Sequence, residues 1–328
     1  MFLVTGGAGF IGSNILASLE ASGYRDLVCC DRLGTAEKWK NIAKRDLSDL
    51  ISPDQLPTFL DAQGHRLSAV IHMGALSATT ETDADRIKQE NIDLTLALWR
   101  WCADEQVRLI YASSAATYGD GAQGFDDDPS PEAMARLVPL NAYGWSKHHT
   151  DRRIQRVIRD GGNAPPQWVG LKFFNVYGPN EYHKGAQQSV VPQFHRQIKE
   201  SGEVKLFRSH KSGVGDGDQA RDFVFVEDGC RLVTWLLGRG DVNGLFNVGS
   251  GQARTFLDVA HAVFAAMGRE PSVTFIDTPE TIRDGYQYFT QASLSRLRTA
   301  GFDQPMTTLE DGVGDYVRSY LEADDPYR

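Results

Sequence analysis

The sequence predicts an α/β protein built on a doubly wound parallel sheet, with a smaller mixed α/β lobe beside it. Strand-like apolar runs alternate with helical segments through the first half of the chain. A glycine-rich turn joins the first strand to the first helix, and an acidic residue ends the second strand. At 328 residues the chain exceeds what one minimal core needs.

Taken in order, residues 2–4 form a short apolar strand that runs into glycines. Residues 10–22 read as a helix, with Gly23 in the position of a C-terminal cap. Residues 27–30 are a second strand ending at Asp31, and residues 69–72 and 109–112 are two more. Between those two, residues 84–103 carry apolar side chains at helical spacing. In the second half, residues 169–174, 223–226 and 245–248 read as strands, and 190–199 and 256–267 as helices. Residues 209–219 are rich in Gly, Asp and Ser and are expected to form an exposed loop. No clean linker separates two halves, so the chain is expected to cross between lobes more than once. The expected division is 1–172 with 223–251 for dinucleotide binding, and 173–222 with 252–328 for the second lobe.

Composition narrows the class. An apolar fraction of 41% and a charged fraction of 23% are those of an ordinary globular enzyme. No apolar run is long enough to span a bilayer, and the first strand is not preceded by a basic leader, so no membrane and a cytoplasmic location are expected. The net charge of −9, without a sustained basic stripe, argues against a nucleic-acid partner. Arg152-Arg153 reads as part of a solvated helix face. Cys29, Cys30, Cys102 and Cys230 form no C-x-x-C pair; the first two lie in an apolar run where buried thiols are expected, with no metal site and no disulfide frame.

The segment Thr5-Gly6-Gly7-Ala8-Gly9-Phe10-Ile11-Gly12 follows a strand and opens a helix. Glycine allows the tight turn and lets backbone approach a pyrophosphate, while the helix start offers free N–H groups and a positive dipole end. Asp31, roughly 20 residues on, can accept from ribose hydroxyls. Together these describe a Rossmann dinucleotide site. Asp31 alone favours NAD, whereas Arg32 and Lys38 can pair with a 2′-phosphate and favour NADP; the two signals compete.

Ser113-Ser114-Ala115-Ala116-Thr117-Tyr118-Gly119 follows the strand at 109–112, where ligands bind in such sheets. Tyr143 and Lys147, four residues apart, share one helix face. A lysine ammonium beside a phenol is expected to lower its pKa and suit it to proton transfer with a substrate hydroxyl. His72, Trp99 and Trp101 are expected to pack, and Asp216 and Asp218 to lie in a solvated turn.

The chain resembles the extended short-chain dehydrogenase/reductase family along almost its whole length, and within it the ADP-heptose epimerases. The resemblance rests on MFLVTGGAGFIGSN at 1–14, YASSAATYG at 111–119, NAYGWSK at 141–147, FFNVYGP at 173–179, HKG at 183–185, RDFVFV at 221–226 and YQYFTQA at 286–292. It implies Tyr143 as acid/base, Lys147 as its helper and holder of the nicotinamide ribose, and Ser114 as the hydroxyl that positions the reacting oxygen. It implies Lys184 as a second acid/base, one that needs desolvation by the substrate lobe to act as a neutral base. Implied substrate contacts are Ser114, Asn175, Lys184, Gln193, Phe207, Arg208, Ser209, His210, Arg221 and Tyr286. Implied cofactor contacts are Gly6, Gly9, Phe10, Ile11, Gly12, Asp31, Arg32, Lys38, Met73, Gly74, Ala75, Leu76, Ser77, Asn91, Lys147 and Val176. The sequence departs from the family pattern at Ala186 (a serine), Gln193 (a histidine) and Pro53 (a lysine).

The resemblance implies an isomerase that uses bound NADP, or NAD, to oxidise and re-reduce C6 of the heptose of an ADP-sugar, in lipopolysaccharide precursor synthesis. It also implies a homo-oligomer, with five copies expected. The alternatives are a nucleotide-sugar 4-epimerase, a 4,6-dehydratase, disfavoured by Ala115-Ala116 where that chemistry needs acids, and a non-catalytic dinucleotide sensor.

Overall fold

The computed structural model describes residues 1–283 and 287–328. The strands are β1 Phe2–Thr5, β2 Leu27–Cys30, β3 Asp49–Ile51, β4 Ala69–His72, β5 Arg108–Ser114, β6 Trp168–Phe173, β7 Asn175–Tyr177, β8 Val204–Phe207, β9 Ala220–Phe225, β10 Gly244–Val248, β11 Ala253–Thr255 and β12 Val273–Ile276. The helices are α1 Phe10–Ala21, α2 Leu56–Gln63, α3 Ala84–Ile87, α4 Leu94–Asp104, α5 Pro131–Ala135, α6 Ala142–Arg159, α7 Val190–Ser201, α8 Val226–Leu237, α9 Phe256–Ala266, α10 Glu280–Arg283, α11 Ser295–Thr299 and α12 Leu309–Tyr316.

Seven strands form the main sheet in the order β10-β6-β5-β4-β1-β2-β3, every neighbouring pair parallel. Strands buried on both faces read as continuous apolar runs, and their alternate side chains sort into two layers. Leu3, Val70, Leu109 and Tyr111 pack on one face with Leu56, Phe59 and Leu60 of α2, Leu98, Trp99 and Cys102 of α4 and Ile154 of α6. Val4, Ile71 and Ile110 pack on the other with Ile15, Leu16 and Leu19 of α1 and Leu232, Val233 and Leu236 of α8. All four cysteines are free and buried, and Trp99 stacks edge-on against Trp168.

The direction of winding reverses between β1 and β4, and a crevice outside their carboxyl ends is where such sheets take ligands. Gly6, at φ +64°, lies so close to β4's end that a Cβ there would meet Gly74 N at 2.6 Å. A Cβ on Gly12 would meet Gly6 O at 2.1 Å. Both positions therefore exclude any side chain.

Two expectations need correction. The strand placed at 109–112 continues to Ser114, so the two serines end the strand rather than follow it. The helical run over 84–103 is interrupted by a π-helical turn at Lys88–Asp93, which turns Asn91 inward. β9, which spans the expected division between residues 222 and 223, pairs with β7 and β11 in a separate three-stranded sheet. A second small sheet pairs β8 with β12. Among the described residues, no helix is long and apolar enough to cross a membrane.

Candidate active site

The carboxyl ends of β1, β2 and β4 border a cleft of about 640 Å³, lined by Gly6, Asp31, Arg32, Lys38, Gly74 and Ala75 among others. Here α1 begins without a side-chain cap, leaving backbone donors available to an anion. Asp31 Oδ2 accepts from Ala8 N at 2.9 Å, which fixes the glycine loop against β2. Its Oδ1 accepts from Lys38 Nζ at 2.6 Å. Arg32 is half exposed and reaches Asp54 at 3.2 Å and Glu90 at 3.9 Å. Pro53 and Asp54 border the same cleft. Glycines where a Cβ cannot fit, an uncapped helix start and a strand-end acid together suit a dinucleotide.

The walls of the cleft are braced from behind. His72 sits between Thr5 Oγ1 at 2.6 Å and Thr95 Oγ1 at 2.8 Å, and burial pushes its pKa down to about 3. It is a neutral packing group, as expected. Asn91 is fully buried; it accepts from Leu76 N at 2.8 Å and donates to Leu76 O at 3.0 Å and Ser146 Oγ at 3.0 Å. It shapes the segment Met73–Ser77 through backbone contacts rather than lining the cleft, and Ser77 is exposed. Met73 N donates to Thr5 O at 3.0 Å. Gly9 N donates to Gly6 O at 3.0 Å, Phe10 is buried and Ile11 half-buried at the start of α1, and Val176 is half-buried in β7.

Next along the sheet, Ser114 ends β5, and its Oγ accepts from Ala116 N at 3.1 Å. Asn141 caps α6 through Gly144 N at 2.8 Å. A Cβ on Gly144 would meet Ala116 O at 2.6 Å, so this glycine lets α6 approach the Ser114 turn. Half-buried Tyr143 then hydrogen-bonds Ser114. The expected depression of the phenol by Lys147 is not what the packing gives. Burial pushes Tyr143 above the usual tyrosine range, and the Ser114 hydrogen bond only partly offsets this. Lys147 Nζ instead donates to Ala112 O at 2.8 Å, and burial brings its pKa down to about 8, opposed by Asp151.

Asp151, one turn beyond Lys147 on the same face, was not singled out by the sequence. It accepts from Tyr111 OH at 3.1 Å and Ser113 Oγ at 2.6 Å, and pairs with Lys172 at 3.1 Å. Lys172 also donates to Thr117 Oγ1 at 2.9 Å, and Thr117 Oγ1 donates to Ser114 O at 2.9 Å. The Tyr-x-x-x-Lys spacing continues to Asp151, and that repeat was the available signal.

Lys184 lies in the 3-10 segment Tyr182–Gln187, half-buried, with Nζ 5.4 Å from the centre of the Phe10 ring. Burial lowers its pKa and Glu181 opposes the shift. Fully buried Glu181 accepts from Gly178 N at 3.3 Å and Ser189 Oγ at 2.8 Å, tying both flanks of the segment together. Asn41 donates to Ala8 O at 2.9 Å and Asn180 O at 3.0 Å and contacts His183 Nδ1 at 3.1 Å, which joins the segment to the glycine loop.

The expected substrate residues are spread along the second lobe. Asn175 is exposed at the start of β7, and Gln193 donates to Gln188 O at 2.8 Å. Phe207 ends β8; beyond it Arg208 pairs with Asp216 at 3.0 Å, Ser209 N donates to Asp216 at 2.8 Å and His210 N donates to Tyr288 OH at 3.0 Å. These contacts hold the start of the loop at 209–219, most of which is exposed. Arg221 is buried in β9 with its guanidinium 5.8 Å from the Phe256 ring. Tyr286 lies outside the described residues. Asp222, next to Arg221, was also missed: it accepts from Ser250 N, Gly251 N at 3.0 Å and Ala292 N at 2.9 Å, joining two sequence motifs.

Comparison with known proteins agrees with this geometry. The NAD dependent epimerase/dehydratase family model matches residues 2–249. A relative named ADP-L-glycero-D-manno-heptose-6-epimerase, from Nitratidesulfovibrio vulgaris, is 48% identical over 332 residues, covering 100% of each chain. The crystal structure of the Helicobacter pylori protein of that name is 28% identical, with a TM-score of 0.76 and coverage of 97% of this chain and 95% of that one. The Thermus thermophilus UDP-glucose 4-epimerase, solved as a complex with NAD, is 25% identical, with a TM-score of 0.72 and coverage of 95% and 96%.

Proposed function

The chain belongs to the NAD dependent epimerase/dehydratase family, and from that membership we propose that it epimerises C6 of the heptose in ADP-D-glycero-D-manno-heptose, giving the L-glycero epimer for lipopolysaccharide core synthesis. The observation that carries the reading is a second candidate base. Lys184 is partly desolvated, lies over the Phe10 ring at the start of α1 and feels the charge of Glu181, apart from the Ser114–Tyr143–Lys147 set.

A nicotinamide dinucleotide supplies reversible hydride transfer in this cleft. Ser114 and Tyr143 hold the oxygen of one C6 epimer, with Tyr143 moving its proton and the Ser114 hydrogen bond favouring the phenolate, while Lys147 would hold the nicotinamide ribose. The resulting exocyclic ketone presents its other face after a bond rotation, and no carbon acid is needed. Lys184 then serves the oxygen in the other orientation. Arg221, with a planar guanidinium, suits the diphosphate, and Asn175, Gln193, residues 207–210 and Tyr286 complete the sugar-nucleotide side. In this reading 1–172 with 223–251 hold the dinucleotide, and 173–222 with 252–328 hold the substrate. A homo-oligomer and a cytoplasmic site of action belong to the same proposal and rest on the likeness to the heptose epimerases.

NADP is proposed as the working cofactor. Asp31, the ribose acceptor that would favour NAD, is already paired with Lys38. The exposed Arg32–Asp54 pair is weak enough to yield to a phosphate. A charge-assisted contact to a 2′-phosphate contributes about 1.5–3 kcal/mol. Arg32→Ala is therefore expected to lose roughly tenfold or more of its preference for NADP over NAD. Mass spectrometry of the ligand released on denaturing the wild type checks the assignment, and release of NAD alone would remove it.

The test of the function is incubation of the purified protein, with no cofactor added, with ADP-D-glycero-D-manno-heptose and separately with UDP-glucose. Conversion of the first alone is expected. Conversion of UDP-glucose alone would make this a 4-epimerase, and conversion of neither would favour a sensor.

A further inference from the structure

Helix α6 carries two different faces. Tyr143, Lys147 and Asp151 recur every four residues on the side that meets β5. Trp145, His149, Arg152, Arg156 and Arg159 recur every three or four residues on another. Along that second face, α6 and the short helix α5 enclose a cleft of about 360 Å³, floored by Pro131 and Met134. This is separate from the dinucleotide cleft, whose lining residues it does not share.

A row of arginines on a helix is ordinarily a solvated face, and three facts argue against that here. First, no carboxylate lines the cleft, in a chain where 43 acidic residues outnumber 34 basic ones. Second, Arg152, Arg153 and Arg156 form no side-chain hydrogen bond or ion pair among the described residues. Arg159 reaches only its exposed neighbour Asp160, at 3.1 Å. Third, two polar groups lining the cleft are buried without partners: His148 Nδ1, on a side chain with 5% relative exposure, and Gln155 Nε2. They lie seven residues apart, two turns along one face of the helix. Buried polar atoms normally have partners, and an unpaired one costs about 1–3 kcal/mol. Trp145 is 41% exposed at the end of the stripe and offers a flat apolar surface.

We propose that this cleft is a second ligand site, for the diphosphate group of a small nucleotide-like molecule. Guanidinium forks pair with phosphate oxygens two bonds at a time, and several converging arginines match an anion of two or more charges better than a single carboxylate. The cleft volume lies in the small-molecule range. Trp145 stacks a planar ring at the open end.

The test is calorimetric titration of the dinucleotide-loaded protein with pyrophosphate, in the wild type and in Arg152→Glu/Arg156→Glu. The wild type is expected to take up one equivalent that the variant binds at least about tenfold more weakly, the equivalent of one lost charge-assisted hydrogen bond. Melting temperature and dinucleotide content should be unchanged. If the charge reversal unfolds the chain, Arg152→Gln/Arg156→Gln provides the same comparison. ADP should bind this site more tightly than pyrophosphate, and Trp145→Ala should remove the difference. Equal pyrophosphate stoichiometry and affinity in wild type and variant would overturn the proposal. So would an altered assembly mass by light scattering with pyrophosphate binding intact, which would make the stripe a contact between copies.

Discussion

Tyr143→Phe and Lys184→Met are each expected to stop net epimerisation, lowering it about 10²–10⁴-fold, while sparing opposite half-reactions. A full cycle needs a proton moved in both orientations of the substrate, and each group serves one. Tyr143 stands against Ser114 at the end of β5. Lys184 stands over Phe10, with Glu181 behind it. The environments also differ in sign. Burial raises the Tyr143 phenol and keeps it protonated in the free chain, whereas burial lowers Lys184 toward the neutral form that can accept a proton. An ADP-sugar analogue ending in a C6 aldehyde, mixed with each variant, separates the two orientations by the absorbance of the reduced nicotinamide. Lys184→Met turning over the natural substrate at nearly the wild-type rate would reduce Lys184 to a binding or surface residue. The chain would then act as a one-tyrosine epimerase.

The second large effect is on stability. Asp151 and Lys172 are almost wholly buried, and the carboxylate also holds Tyr111 and Ser113. Removing one member of such a pair leaves an uncompensated charge, at a cost of about 3–5 kcal/mol. Asp151→Ala should lose that much in denaturant unfolding, and Asp151→Asn/Lys172→Met should lose less than the two single changes summed. A loss below about 1 kcal/mol in Asp151→Ala would mean that water reaches the pair. Catalysis should respond with a definite sign. Burial alone lowers Lys147, and Asp151 opposes it. In Asp151→Asn the ammonium should deprotonate at lower pH, so the alkaline limb of kcat/KM moves down. A purely structural role would leave that limb in place.

Much of this site was legible because its signals are local. The glycine turn, α1, Asp31 and the Tyr143–Lys147 spacing each sit within one strand–turn–helix unit, where sequence distance and spatial distance agree. What was not legible is non-local or too short to carry a period. β3 has three residues, two of them exposed, and β7 and β11 are equally short. The pairing of β7 and β11 with β9 depends on contacts tens of residues apart. The π turn at Lys88–Asp93 hides inside an unbroken helical pattern because it adds only a local widening. Asp151–Lys172 and Glu181 were missed for a different reason: a buried charge reads from sequence like a surface one, and only the fold shows what surrounds it.

The central claim is that C6 is inverted by oxidation and re-reduction with a dinucleotide the protein already holds. It is tested most directly by running the reaction in D2O, with no cofactor added, on ADP-D-glycero-D-manno-heptose. The account predicts the L-glycero epimer with no deuterium at C6, because the hydrogen that leaves that carbon returns to it without meeting solvent. Product carrying deuterium at C6 would contradict it, since inversion would then have passed through proton exchange rather than hydride transfer.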